Sequence, residues 1–469
     1  MLASCFGYAG FLPPFPPLFS SPSEFMRPLI ATMFGLMFSA AAAPAMGADV
    51  YVTPDGAGRK DGSNWEHALS GDSLPNAVDD RLKPGDRLLI GGGVYTNAKI
   101  VVNQGGQPER LKQIEGVDRG EGLPIFRGVW NEDAPSKGAT AVRFNAEAGY
   151  VRLVNLRIER YMTGVSVVKS SQNTDRSHLS FDDVDIRFAR YGFYVSDCDD
   201  MQLVDCDLTR YTKHGFRFEQ GCDRVELLRC TADCSEGDEG WEEKTELLPF
   251  GFNVNHGNSP NRDFLFDQCV ASNNMMPLQK GRYKNGDGFV VEGSAQNVRF
   301  HHCRAIRNQD AGYDLKVEDV KLIGCVAVDN KRNFRIWSTG TLWNCFAGGG
   351  VLGLWCNGGP VLAQRCTFYG SRTAGVQTDD RAKLPITLRD CIIANTPRAF
   401  RKTARGPIKS EGTIMSEVAE SNAPGSDAAP QFIRPTEHWD GVGPAFDSRQ
   451  FPDKGFHSDA KTPDALLGT

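Results

Sequence analysis

Eight short segments built around a cysteine recur along this chain at a spacing that few folds can accommodate. The segments LVDCDL, LLRCTA, FDQCVA, FHHCRA, LIGCVA, LWNCFA, AQRCTF and LRDCII carry Cys206, Cys230, Cys269, Cys303, Cys325, Cys345, Cys366 and Cys391. The intervals are 24, 39, 34, 22, 20, 21 and 25 residues. A period near 20–25 with occasional long intervals is that of a solenoid whose coils carry loop insertions. Upstream, LVNL and FDDVDI repeat the pattern, with Asn155 and Val184 expected in the cysteine slot.

Each coil has a second short apolar segment, usually opened by glycine: GVSV, GFYV, GFRF, GFNV, GFVV, GYDL, NFRI, GLWC and GVQT. Short strands with period-2 alternation, many turn residues and no helical period predict an all-β, single-domain parallel β-helix. Crossovers between parallel strands favour the right hand, so the helix is expected to be right-handed. At ~4.8 Å between strands, about ten or more coils make a rod roughly 50 Å long.

The cysteine slot alternates with apolar neighbours and therefore points inward, as a column of small buried side chains. Cys198, Cys222 and Cys234 lie off this ladder and are the better disulfide candidates. No CxxC pair or nearby histidine supports a metal site built from the ladder.

The chain of 469 residues has a formal net charge of −6. Acids and bases are interspersed without a long basic run, which argues against nucleic acid as a partner. From Met26 the sequence reads MRPLIATMFGLMFSAAAAPAMGADV, with a basic start, a short apolar core and small residues near Ala45 or Ala48. These features predict a secretory signal within 1–48, read from a start at Met26, and a secreted or periplasmic product. The apolar core is short for a span of ~20 residues, so no membrane span is expected after cleavage. The β-helix is expected over 49–414, with a capping N-terminal segment and a wrapping C-terminal tail over 415–469. A monomer is expected.

In GYDLK, alternation places Tyr313 and Leu315 in the core and Asp314 and Lys316 outside. Outward residues of successive coils then stack in two columns. The first runs Tyr194, Arg217, Asn253, Val290, Asp314, Arg335, Trp355 and Gln377. The second runs Ser196, Glu219, Asn255, Glu292, Lys316, Trp337, Asn357 and Asp379. Charged and amide groups interleaved with tryptophans suit a polysaccharide groove, since aromatic faces pack on sugar rings and cations bind carboxylates. Arg217, Glu219, Asn253, Asn255, Glu292, Trp337 and Trp355 are the candidate substrate-binding residues.

The run NGDGFVVEGSAQNVRFHHCRAIRNQDAGYDLKVEDVKLIGCVAVDNKRNFRIW resembles the central coils of polysaccharide lyase family nine, the pectate lyases and their relatives. The likeness is specific over roughly residues 284–337. That family pairs an Asp-Gly-Phe coil with an Asn-x-Asp-Asp-Gly-aromatic-Asp coil whose aspartates bind calcium, and the next coil offers a catalytic lysine. The resemblance implies calcium as cofactor, with Asp287, Asp310 and Asp314 as metal ligands. Two positions depart: Ala311 stands where the second acid of the pair belongs, and Arg335 stands where the family has its lysine.

The implied chemistry is β-elimination on a uronate-containing polysaccharide. Removing the C5 proton leaves a carbanion beside a carboxylate, and an oxygen-liganded cation neutralises that carboxylate and acidifies the proton. Two residues compete as base. Arg335 occupies the matching position, and other pectate lyase families resemble this arrangement with an arginine in that role. Lys316 lies on the adjacent coil, where a desolvated lysine beside a cation has a lowered pKa. A non-catalytic carbohydrate-binding protein, a uronan epimerase and a glycoside hydrolase on the same scaffold are the alternatives.

Overall fold

The computed structural model describes residues 47–168, 178–255, 257, 259–379, 384–402 and 408–420. The expected secretory signal and the chain beyond residue 420 lie outside the described residues.

Every coil contributes strands to parallel ladders. One ladder runs through Arg262–Asp267, Gln296–His301, Val320–Ile323, Gly340–Trp343, Val361–Gln364 and Ile386–Arg389, each pairing in parallel with the next. A second runs through Val270–Ser272, Arg304–Ile306, Val326–Val328, Phe346–Gly348 and Thr367–Tyr369. The third, which carries the site, runs through Phe250–Val254, Asp287–Val291, Ala311–Leu315, Arg332–Ile336, Leu352–Cys356 and Ala374–Thr378. Long-range parallel pairing of this kind can form only if each coil turns sharply between strands. The turn ahead of each ladder cysteine uses one left-handed residue: Asp205, Arg229, Gln268, His302, Gly324, Asn344, Arg365 and Asp390 have φ of 50–61°. Upstream, Asn155 takes this turn position with φ 58°, and Val184 pairs with Leu156. Leu156 therefore fills the slot expected for Asn155, one residue along.

The ladder cysteines are buried and unbridged, and each thiol donates to a carbonyl of the preceding coil, as Cys303 does to Phe266 O at 3.3 Å. Cys198, Cys222 and Cys234 are also buried free thiols, which corrects the disulfide expectation. Cys222 turns to Glu219 O at 3.3 Å and Cys234 to Tyr211 O at 3.1 Å.

Beside the cysteines, Phe193, Phe216, Phe252, Phe289, Tyr313 and Phe334 stack ring on ring with centroids 4.7–5.4 Å apart. Such aromatic pairs contribute about 0.5–1.5 kcal/mol each beyond the area they bury. At the N-terminal end, Leu74–Arg81 is a helix whose Leu74, Ala77 and Val78 join the continuous core. Its Asp79 accepts from the backbone N–H groups of Asn103 and Gln104, both at 3.0 Å. Donors that would otherwise leave a sheet edge open are thereby satisfied. At the other end, Ile414–Glu420 pairs with Ile392–Arg398, so the ladder continues beyond residue 414. No helix among the described residues is long and apolar enough to cross a membrane.

A buried amide chain fixes the turn that enters the third ladder. Tyr211 donates to Asn274 Oδ1 at 2.6 Å, and Asn274 Nδ2 to Asn308 Oδ1 at 2.8 Å. Asn308 Nδ2 reaches Asn330 Oδ1 at 2.9 Å, and Asn330 Nδ2 reaches Asn333 Oδ1 at 3.0 Å. Buried amides that satisfy one another hold a single arrangement, because any slip would leave donors unpaired.

Candidate active site

The amide chain sets the site because the functional side chains follow it in sequence. Asp310 lies two residues after Asn308, and Lys331 directly follows Asn330. The Asp310 N–H donates to Gly286 O, and the Arg332 N–H donates to Asp310 O, both at 2.8 Å. Gly286, Asp310 and Lys331 are thus stacked on successive coils, one step before the strands begin. Within the strands, Val290 pairs with Asp314, Asp314 with Arg335, and Arg335 with Trp355. The first outward column is therefore assembled as its alternation predicts. The second is continuous too: the Glu292, Lys316, Trp337 and Asn357 N–H groups each donate to the coil before.

Carboxylates expected on a wet sheet face are instead deeply covered. Asp310 is 0% exposed and Asp314 is 1% exposed. Asp310 Oδ1 accepts from the Tyr283 hydroxyl at 2.6 Å and from Arg332 Nη1 at 2.5 Å, with Lys331 Nζ at 3.5 Å. Its Oδ2 accepts from Arg335 Nη1 at 3.0 Å. Asp314 Oδ1 accepts from Trp337 Nε1 at 2.6 Å, and its Oδ2 lies 3.1 Å from Lys316 Nζ. Lys316 also pairs with Glu292. Asp287 is fully buried; its Oδ1 accepts from the Ala311 N–H at 2.6 Å, while Oδ2 has no partner among the described residues. On the coil before, both amide atoms of buried Asn253 are likewise unpartnered.

Tryptophans expected to be exposed have a different role. Trp355 is 4% exposed, and its ring meets that of Trp337 edge-on at 4.8 Å. The Arg335 guanidinium lies 4.4 Å from the Trp337 ring centre and 5.2 Å from that of Trp355. The pair therefore grips a cation. Farther along the same sheet face, Arg217 pairs with Glu219 at 2.6 Å, and Tyr194 donates to Glu219 at 2.6 Å. Asn255 is half-buried.

Sequence reasoning missed Tyr283, Lys331 and Arg332. The last two stand in DNKRNFRIW, where the adjacent Lys-Arg pair was visible, but the strand pattern begins only after them. Tyr283 belongs to the insertion between Val270–Ser272 and Asp287–Val291, to which no repeat assigns a face.

The two lysines are tuned in opposite directions. Burial alone would lower the Lys316 pKa, but Asp314 and Glu292 outweigh it and hold the amine above its usual range. The lowered pKa expected for Lys316 is thus not found. Lys331 is held below its usual range by burial, reinforced by Arg332 and Arg335 and opposed chiefly by Asp310. Its amine also lies 4.2 Å over the Tyr283 ring. Burial and the hydrogen bond to Asp310 push the Tyr283 phenol up to about 12. Burial, with Asp314 and Asp310 nearby, raises the Asp287 carboxyl well above the usual carboxylate range.

The donor set does not fit a calcium ion as it stands. Calcium takes six to eight oxygens and relies on carboxylates free to turn toward it. Both oxygens of Asp310 and of Asp314 already accept from cations, a phenol or an indole, and Asp287 favours its neutral form. Ala311 supplies no fourth carboxylate. Among the described residues, no three His, Cys, Asp or Glu side chains are grouped to hold a metal.

The family model for the right-handed beta helix region matches residues 163–349. The fold is a right-handed parallel β-helix. Among solved structures, the chain is similar to the pectate lyase Pel9A, with 15% identity and a TM-score of 0.52 over 65% of this chain and 77% of that one. It is also similar to the A-module of the mannuronan C-5 epimerase AlgE6 from Azotobacter vinelandii, at 14% identity and a TM-score of 0.48, covering 72% of this chain and 91% of that one. A GH136 lacto-N-biosidase from Eubacterium ramulus matches at 12% identity and a TM-score of 0.49 over 79% and 68%. No curated protein matches the chain. At these identities the likeness establishes the fold, and function has to be argued from the site.

Proposed function

We propose that this protein is an exported lyase that cleaves a uronate-containing polysaccharide by β-elimination in the groove above Asp310 and Asp314. One observation carries the reading. Lys331, Arg332 and Arg335 converge on Asp310, while Lys316 is held by Asp314 and Glu292. With Lys331 neutral as the base, Arg332 and Arg335 remain beside it as the cations that suit a sugar carboxylate.

Lys331 best meets the requirements of the base. Its amine is half-exposed beside the groove, and its lowered pKa supplies the neutral form at lower pH than an ordinary lysine. Neutral Lys331 takes the C5 proton, and the electron pair forms the C4=C5 double bond as the C4–O4 bond breaks. The departing O4 takes the proton back from the ammonium just formed. Arg335, the sequence-based candidate, serves better as an electrostatic partner of the substrate carboxylate, because a guanidinium stays protonated. Lys316, held by Asp314 and Glu292, serves as a positioning residue for Asp314. Arg217, Glu219, Asn255 and Trp337 extend the groove along the neighbouring coils.

Mass spectrometry together with proton NMR of polygalacturonate, alginate and glucuronan digests tests the reading. Unsaturated oligomers from one of these substrates are expected. Saturated fragments would point to hydrolysis, and an intact polymer with inverted C5 centres would point to epimerisation.

A further inference from the structure

The groove holds its own cation where the related lyase coils would hold a metal. Arg335 Nη1 lies 3.0 Å from Asp310 Oδ2 and 3.5 Å from Asp314 Oδ1, so one guanidinium spans two of the expected metal ligands. Its Trp337 and Trp355 neighbours fix the plane of that guanidinium against the coil. Arg332 adds a second guanidinium on Asp310, itself bridged to the Tyr283 hydroxyl at 2.6 Å. Arg332 Nε and Arg335 Nε are buried donors without a partner among the described residues. The Arg332 and Arg335 side chains nevertheless remain 19% and 12% exposed, so each keeps some surface for an incoming acceptor. A planar carboxylate is the acceptor that best matches a guanidinium edge.

We infer that Arg332 and Arg335 form a built-in cation site that binds the uronate carboxylate directly, so that this protein engages its polysaccharide without a divalent metal. The inference rests on the uronate reading given above and deepens it. The Arg335 position is then a substitution with consequence: removing its charge leaves Asp310 Oδ2 without its cation and takes one positive charge away from Asp314, which favours entry of a divalent cation.

Calorimetric titration of the intact protein tests this with two probes, calcium chloride alone and uronate trimers of the galacturonate, mannuronate and guluronate series. Wild type should take up no calcium into this site and should bind a trimer equally well in EDTA and in calcium. Arg335→Ala should gain calcium binding, lose about tenfold or more in trimer affinity in EDTA, and recover part of it when calcium is added. Arg335→Lys, which keeps a charge and the fold, should stay calcium-independent. Wild type that binds calcium more tightly than Arg335→Ala, or that binds a trimer only in calcium, would overturn the inference. If wild type bound no trimer under either condition, the uronate reading would fail, while the calcium titration alone would still decide between a metal and a guanidinium at this position.

Discussion

Arg335 and Asp310 form an ion pair at 3.0 Å beneath the groove, the carboxylate fully buried and the guanidinium side chain 12% exposed. The two partners are not equivalent. Asp310 faces Arg332, Arg335 and Lys331 at once, and Arg335 has a second acid in Asp314 at 3.5 Å, whereas the loss of Arg335 leaves Asp310 two other cations. Removing one member of a buried pair costs about 3–5 kcal/mol when the other is stranded. Asp310→Ala should therefore lower the urea-unfolding free energy by about that amount, and Arg335→Ala by clearly less. Equal losses in the two variants would show that the cations do not depend on Asp310.

Asn308 is the central link of the amide chain, accepting from Asn274 and donating to Asn330. Truncating it strands a donor and an acceptor in the core, and also removes its bond to Ala271 O at 3.1 Å. Asn308→Ala should cost about 1–3 kcal/mol or more in chemical denaturation, because each buried orphan carries a penalty of that order. The same variant should loosen Asp310, which follows two residues later, and so depress activity more than a core substitution such as Val298→Ala. A fully active Asn308→Ala would separate the amide chain from the site.

Asp287 links stability to pH. Its folded-state pKa is raised above the unfolded value, with burial the largest cause and Asp314 and Asp310 next. The stability it contributes is therefore fully present below the unfolded pKa and is lost as pH rises through the folded one. Asp287→Asn keeps an acceptor for the Ala311 N–H and cannot ionise. The variant should match wild type near pH 4 and become the more stable of the two as pH rises toward 8, in thermal melts at constant ionic strength. A gap that widened on acidification instead would mean that Asp287 is charged in the folded protein.

Lys331 sets the alkaline behaviour of the reaction. A base must be neutral to accept a proton, and burial with two guanidinium neighbours favours that form. The rate should climb with pH and level off below the ordinary lysine value of about 10.4. A rate that follows the titration of an ordinary lysine would remove Lys331 from consideration.

The coil architecture was legible because stacking forces a fixed period: the cysteine slot, the glycine-opened strands and both outward columns all follow from alternation. Asn155 was misplaced by one residue because a left-handed turn residue interrupts that alternation just before the slot. Asp314 follows from alternation, whereas Asp287 and Asp310 are reached only through resemblance, and the burial of all three depends on groups arriving from neighbouring coils, which no repeat pattern shows. Lys331 and Arg332 stand in the turn after Asn330, where alternation assigns no face. Tyr283 reaches Asp310 from an insertion, and nothing in the repeat fixes where an insertion lands. Trp337 and Trp355 do not stand as separate sugar platforms, because a column assigns each residue singly whereas two adjacent indoles cover each other.

The most direct measurement is a continuous ultraviolet assay of the unsaturated product on the preferred uronan in EDTA, comparing wild type with Lys331→Ala. Wild type should generate the conjugated double bond. Lys331→Ala should lose about 10²–10⁴-fold in kcat with little change in KM, the range expected when a general base is removed. A Lys331→Ala enzyme as fast as wild type, or a wild type that produces no double bond from any uronan, would contradict the account.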